Sequence, residues 1–145
     1  MIPKRVVLDT NVCLDLFVFR DPRWAALDAA LRDGAIEAVT RKDCRMEWLA
    51  VLQYEHLPLD EASRTKAASE FDAMIRCAEE SAPPSTGVRL PLCSDKDDQK
   101  FLETALAEQA GVLITKDKAL LKLARKTARA GLFRIVPPQD WRLEE

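Results

Sequence analysis

Four acids, Asp9, Glu47, Asp98 and Asp117, have the residue types and settings to do chemistry together. Asp9 ends the apolar run Val6-Val7-Leu8 and is followed by a hydroxyl and an amide, Thr10 and Asn11. Asp117 follows a second run, Val112-Leu113-Ile114, by way of Thr115 and Lys116. Short β-branched runs of this kind read as buried strands, and the switch to polar side chains marks their carboxyl ends. In a parallel sheet that edge is where ligands bind. Asp98 opens a helix entering from the same side, and Glu47 follows a further short strand, so the four carboxylates can converge on one crevice. Converging carboxylates repel each other unless positive charge sits between them. A hard divalent cation, Mg²⁺ or Mn²⁺, prefers oxygen ligands and keeps open positions for other oxygens. Two such ions roughly 3.5 to 4 Å apart can activate water and stabilise a leaving oxygen at phosphorus.

Each acid also has a plainer reading. Glu47 lies in the apolar band Cys44, Met46, Trp48, Leu49, Val51 and Leu52, where it must be partnered, bound to a cation or exposed at an edge. Ser94, Asp95, Asp97 and Asp98 cluster where a helix begins, and any one of them could cap it or favour its dipole. Three carboxylates in four positions exceed what capping needs. Asp98 lies three residues before Phe101, which brings its side chain near the buried face. An alternative chemistry makes Asp9 a nucleophile that is phosphorylated, but that mechanism wants a second aspartate two residues on, where this chain has Asn11.

The elements that must position these residues alternate between strand and helix. A helix follows Asn11 and stops at Arg20-Asp21-Pro22, and Asp21-Pro22 starts the next, with Trp24, Leu27 and Leu31 inward and Gly34 as its stop. Ile36 to Val39 is the second strand. Thr40 and Asp43 approximate a capping box for the helix that carries Glu47, and His56-Leu57-Pro58 breaks that helix. Asp60-Glu61 opens a longer one with Phe71, Met74, Ile75 and Ala78 at core spacing. Ser81 to Gly87 reads as a surface loop and Val88 to Cys93 as a short extended piece. Phe101, Leu102, Ala105 and Leu106 share a helical face that Gly111 ends. After the Val112 strand comes a helix with Leu120, Leu121, Ala124 and Ala128 inward and Lys122, Arg125, Lys126 and Arg129 outward, as a solvated face or a phosphate contact. Phe133 to Val136 is the last strand. Such alternation implies an α/β fold, a three-layer α/β/α sandwich on a parallel sheet of four or five strands, with right-handed crossovers.

Length and composition agree. With 145 residues, 48% of them hydrophobic, the chain is expected to form one domain over residues 1–145 with a real core. The net charge of −2 does not exclude a phosphate-bearing partner: setting the four acids aside from the 24 leaves 20 against 22 basic residues. Cys13, Cys44, Cys77 and Cys93 form no C-x-x-C pair and His56 is the only histidine, which argues against zinc and for reduced thiols. The start has too few apolar residues for a secretory signal, and no stretch is long enough to cross a bilayer, so a cytoplasmic protein without a membrane role is expected.

Asp9-Thr10-Asn11 after a strand, Glu47 within a helix, Asp98 followed by Phe101-Leu102 and Ala105, and Thr115-Lys116-Asp117 after another strand together resemble the PIN-domain ribonucleases over nearly the whole chain. The segment from Asp97 to Leu121 is most similar to the branch of toxin–antitoxin system toxins. The resemblance implies a metal-dependent endoribonuclease, commonly a homodimer, acting on RNA to leave a 5′-phosphate and a 3′-hydroxyl. An antitoxin protein would be its partner. It implies Asp9, Glu47, Asp98 and Asp117 as the catalytic metal ligands in Mg²⁺ or Mn²⁺, with Thr10, Asn11, Thr115 and Lys116 orienting them or meeting substrate. The chain departs from relatives that carry a further acid shortly after the Asp117 position, where it has Ala119. A catalytically silent binding module acting through an antitoxin or RNA is the alternative.

Overall fold

A computed structural model describes residues 4–78 and 89–143. Its centre is β1 (Lys4–Leu8), the apolar run read from the sequence. Val6 and Val7 are each 1% exposed although they point to opposite faces, because both faces of the sheet are covered. Four further strands pair with it in parallel: β2 (Ile36–Thr40), β3 (Ile75–Cys77), β4 (Val112–Ile114) and β5 (Arg134–Val136). The order across the sheet is β3-β2-β1-β4-β5. Val6 stands beside Ala38 on one side and Val112 on the other, and Leu8 beside Ile114.

Helices pack on the two faces. On one, Val6, Leu8, Ala38 and Ile114 meet residues of α1 (Thr10–Phe17), α2 (Ala25–Arg32), α3 (Lys42–Val51) and α4 (Glu61–Met74). On the other, Val7, Val39, Leu113 and Ile135 meet α5 (Gln99–Ala107), α6 (Lys118–Leu121) and α7 (Ala124–Arg129). The three-layer α/β/α sandwich follows, with five strands in the sheet. Helix α3 reaches both layers: Cys44 joins the second core, while Trp48 and, just past the helix end, Leu52 join the first. Its wide apolar band is thereby explained, except that Met46 is exposed.

Local starts and stops follow the residues. The Asp21 carboxylate accepts from the Arg23 amide and Pro22 opens the turn that leads into α2. Gly34, at φ +80, supplies the left-handed step after α2. Four expectations are corrected. The Thr40–Asp43 capping box does not form: Arg41 is the cap residue, and the Asp43 carboxylate takes the adjacent Cys44 amide instead. The fourth helix ends at Met74, and Ile75 starts a strand beside Ala38 where a helical core position had been expected. Helix α5 ends at Ala107, with Gln109 and not Gly111 in the left-handed conformation. The basic helix is two helices, broken at Lys122–Leu123, so Leu123 and Thr127 are buried and Ala128 is exposed. Residues 89–93 carry no strand, and the loop at Ser81 to Gly87 and Val88 lie outside the described residues. Among the described residues no helix is long and apolar enough to cross a membrane.

Candidate functional site

At the carboxyl edge of the sheet a cleft of about 170 Å³ is lined by Asp9, Thr10, Asn11, Glu47, Val51, Asp98, Phe101 and Asp117. All four acids singled out in the sequence face it, each delivered by a different element. Asp9 follows β1 directly, and its amide still donates to the Ile114 carbonyl at 3.1 Å, so the ladder to β4 fixes its backbone. One carboxylate oxygen caps α1 by accepting from the Val12 amide at 2.9 Å. The other accepts from the Thr115 hydroxyl. At 3% exposure, burial outweighs these hydrogen bonds and pushes the Asp9 carboxyl up to about 6.

Thr115 is fully buried and serves two acids at once, because its hydroxyl oxygen also accepts from the Asp117 amide at 2.9 Å. Asp117 in turn caps α6 through the Ala119 amide at 2.8 Å. Removing the hydroxyl leaves a buried carboxylate and an amide short of partners. Thr115→Val should therefore lower stability by about 1–3 kcal/mol in a denaturant titration, and Thr115→Ser should recover most of the loss. Equal losses for both substitutions would assign the cost to packing instead.

Asp98 closes a 3-10 turn, Lys96–Asp98, just before α5, and its side chain makes no capping bond. Asp95 caps that turn instead, accepting from the Asp97 amide at 3.0 Å. Burial, first, and then Asp117, Asp95 and Glu47 push the Asp98 carboxyl up to about 8, while Asp117, hydrogen-bonded to it, is lowered. The two carboxyls share that hydrogen bond. The Asp98 Oδ2 atom is buried without any hydrogen-bond partner. Glu47 is held differently: Thr10 donates to Oε2, and the Lys100 ammonium lies 2.9 Å from Oε1.

The donor set fits a hard divalent cation. The side chains lining the cleft offer carboxylate, hydroxyl and amide groups, and no thiol or imidazole is among them. One oxygen each from Asp95, Asp98 and Asp117 lie within 4.8 Å of one another. Lys116 faces away from this cleft. Its ammonium pairs with the buried Asp15 at 2.7 Å, where Trp24 Nε1 also donates, beside a neighbouring hollow lined by Arg23, Trp24 and Gln139. A larger cavity of about 440 Å³ opens at the opposite, amino edge among Lys4, Arg5, Arg134, Trp141 and Arg142, remote from these acids. Sequence reading missed Lys100 and the closeness of Asp95. The Lys100 partner is 53 positions away, beyond any local spacing signal.

A parallel α/β sandwich with an acidic cleft at the carboxyl edge of its sheet defines the class of protein, an open α/β fold with its crevice at that edge. The PIN-domain family model matches residues 5–119, and the chain belongs to that family, whose members are generally nucleases. Among solved structures it is similar to VapBC2 from Rickettsia felis bound to a DNA fragment from their promoter. The TM-score is 0.58 at 13% identity, covering 90% of this chain and 96% of that one. No curated sequence matches the chain.

Proposed function

We propose that the chain is a divalent-metal-dependent endoribonuclease, the toxin of a toxin–antitoxin pair, acting in the cytoplasm. The observation that carries this reading is the meeting of four acids from four elements in one cleft, with a buried Asp98 oxygen that has no partner of its own. Asp9, Glu47, Asp98 and Asp117 would hold Mg²⁺ or Mn²⁺. When bound, the cation would offset phosphate charge and lower the pKa of an attacking water.

The chain's own groups prepare that chemistry. Thr115 ties Asp9 to Asp117 and holds both in register with the end of β4. Lys100 offsets the charge of Glu47, reducing the repulsion that an incoming phosphate meets. Asn11 is exposed on the first turn of α1, where an amide donor and the helix dipole both favour a phosphate oxygen. Lys118 on α6, Lys122 just after it, and Arg125, Lys126 and Arg129 on α7 are exposed, a basic stretch beginning beside Asp117 that suits the RNA backbone. The toxin assignment draws on the fold shared with VapBC2 of Rickettsia felis. An antitoxin and a second copy of the chain are the proposed partners, and Phe19, Met46 and Tyr54 offer exposed apolar surface for them.

End-group analysis of cleaved RNA tests the mechanism. Attack by water with departure of the 3′ oxygen leaves a 5′-phosphate and a 3′-hydroxyl. A 2′,3′-cyclic phosphate would mean attack by the ribose hydroxyl and would overturn it.

A further inference from the structure

Beyond that reading, and independent of the acidic cleft, we infer that the cavity at the amino edge of the sheet is a binding site for a nucleoside phosphate. At about 440 Å³ it has the size of a small-molecule site. Lys4, Arg5, Arg134 and Arg142 stand around it, and none of the described residues that line it is acidic. Cations gathered in this way repel one another, and an anion among them removes the repulsion. Planar guanidinium groups match phosphate oxygens two at a time. The rest of the lining suits the other half of such a ligand. Trp141 contributes an indole on which a base can stack, beside the apolar Val6, Ile36 and Val112. Phosphate alone would leave that apolar wall unused, and an apolar molecule would leave the charge unanswered.

The fold holds the guanidinium groups in place before anything binds. Arg5 Nη1 donates to the Glu108 carbonyl at 3.0 Å, and Arg142 Nη1 donates to the carbonyls of Gln139 and Trp141 at 2.8 and 2.7 Å. These acceptors are neutral, so they fix the side chains and leave the charge in place. The carboxylate paired with Arg5, Glu37, stands 4.0 Å from Nε and is shared with Arg76 at 2.6 Å. Donors held in advance cost less to order on binding. Gly111 joins the strands that carry two of the cations: its amide donates to the Arg5 carbonyl and its carbonyl accepts from the Arg134 amide, both at 3.0 Å. A Cβ on Gly111 would meet nothing within 4 Å, so the cavity reaches the backbone between these two residues.

Calorimetric titration of the full chain in EDTA, which removes any metal-bridged route into the acidic cleft, tests the site apart from RNA cleavage. The ligands compared are AMP, GMP, CMP and UMP, the matching nucleosides, and inorganic phosphate. At least one monophosphate should bind, about tenfold or more tighter than its nucleoside and than phosphate. Gly111 is not in the left-handed conformation, so Gly111→Val fills the cavity without backbone strain and should weaken that binding at least about tenfold. Arg142→Gln removes an exposed cation and should weaken it about tenfold. Thermal melts establish that the variants are folded, and Arg142→Gln decides alone if Gly111→Val is not. The inference is overturned if wild type binds none of the four monophosphates, or binds nucleoside or phosphate as tightly as the monophosphate. Wild-type affinity in the folded variants overturns it equally.

Discussion

Asp98→Asn should cut RNA at least about a hundredfold more slowly than wild type, yet melt a few degrees higher in metal-free buffer at pH 7. The two effects have one cause. Burial and neighbouring acids push the Asp98 carboxyl up to about 8, against an unfolded value near 3.8. Between those pH values the folded chain holds a proton that the unfolded chain releases. Stability from this group is therefore greatest at acid pH, falls as pH rises from about 4 to about 8, and then levels. Asp9, pushed up to about 6, adds a second decline in the narrower window from about 4 to 6. Asparagine has no charge to bury and its amide can donate to Asp117, so the Asp98 part of the decline disappears. A tenfold change in proton affinity is worth about 1.4 kcal/mol, and discounting for the solvent that reaches Asp98 leaves a gain of about 1–2 kcal/mol. Melts from pH 4 to 9 check it. An Asp98→Asn protein with the wild-type pH profile would mean that Asp98 is not desolvated.

Trp48→Ala should cost about 3–5 kcal/mol, a large part of the stability of a chain this size. Trp48 is 1% exposed and stacks on Phe71 with ring centroids 5.1 Å apart. Phe17 meets both edge-on, at 6.1 and 6.2 Å. The three rings join α1, α3 and α4, and two of these helices, α1 and α3, bring Thr10 and Glu47 to the cleft. Trp48 Nε1 is buried without a partner, so its hydrogen-bonding capacity contributes nothing and the ring carries the effect. Trp48→Phe should accordingly be much milder. Denaturant titration measures both, and a loss below about 1 kcal/mol for the alanine variant would contradict the packing account.

The parts of the fold legible in the sequence were those with a local signal. The apolar runs ending at Asp9 and Asp117 carry their own evidence, because buried parallel strands are apolar on both faces. Asp21-Pro22 likewise announces a turn that forms as written. Strand β3 was illegible: with three residues directly after a helix, Ile75 fits helical spacing as well as strand, and only pairing with β2 decides it. The inward position falls on Thr127 and not on Ala128, because the Thr127 hydroxyl bonds back to the Ala124 carbonyl and its side chain is wholly buried. In the cleft, strand ends placed Asp9 and Asp117 on one edge, while Asp98 and Glu47 were read from the helices that follow. The internal partners that distinguish them, Thr115 for Asp9 and Lys100 for Glu47, come from 106 and 53 residues away. No local pattern encodes contacts at that range.

The divalent-ion dependence of RNA cleavage by the purified chain tests the central claim most directly. Cleavage should be absent in EDTA, return in proportion to added Mg²⁺ or Mn²⁺ until it saturates, and be lost in Asp98→Asn at every metal concentration. Cleavage that survives EDTA and Asp98→Asn alike would contradict the account.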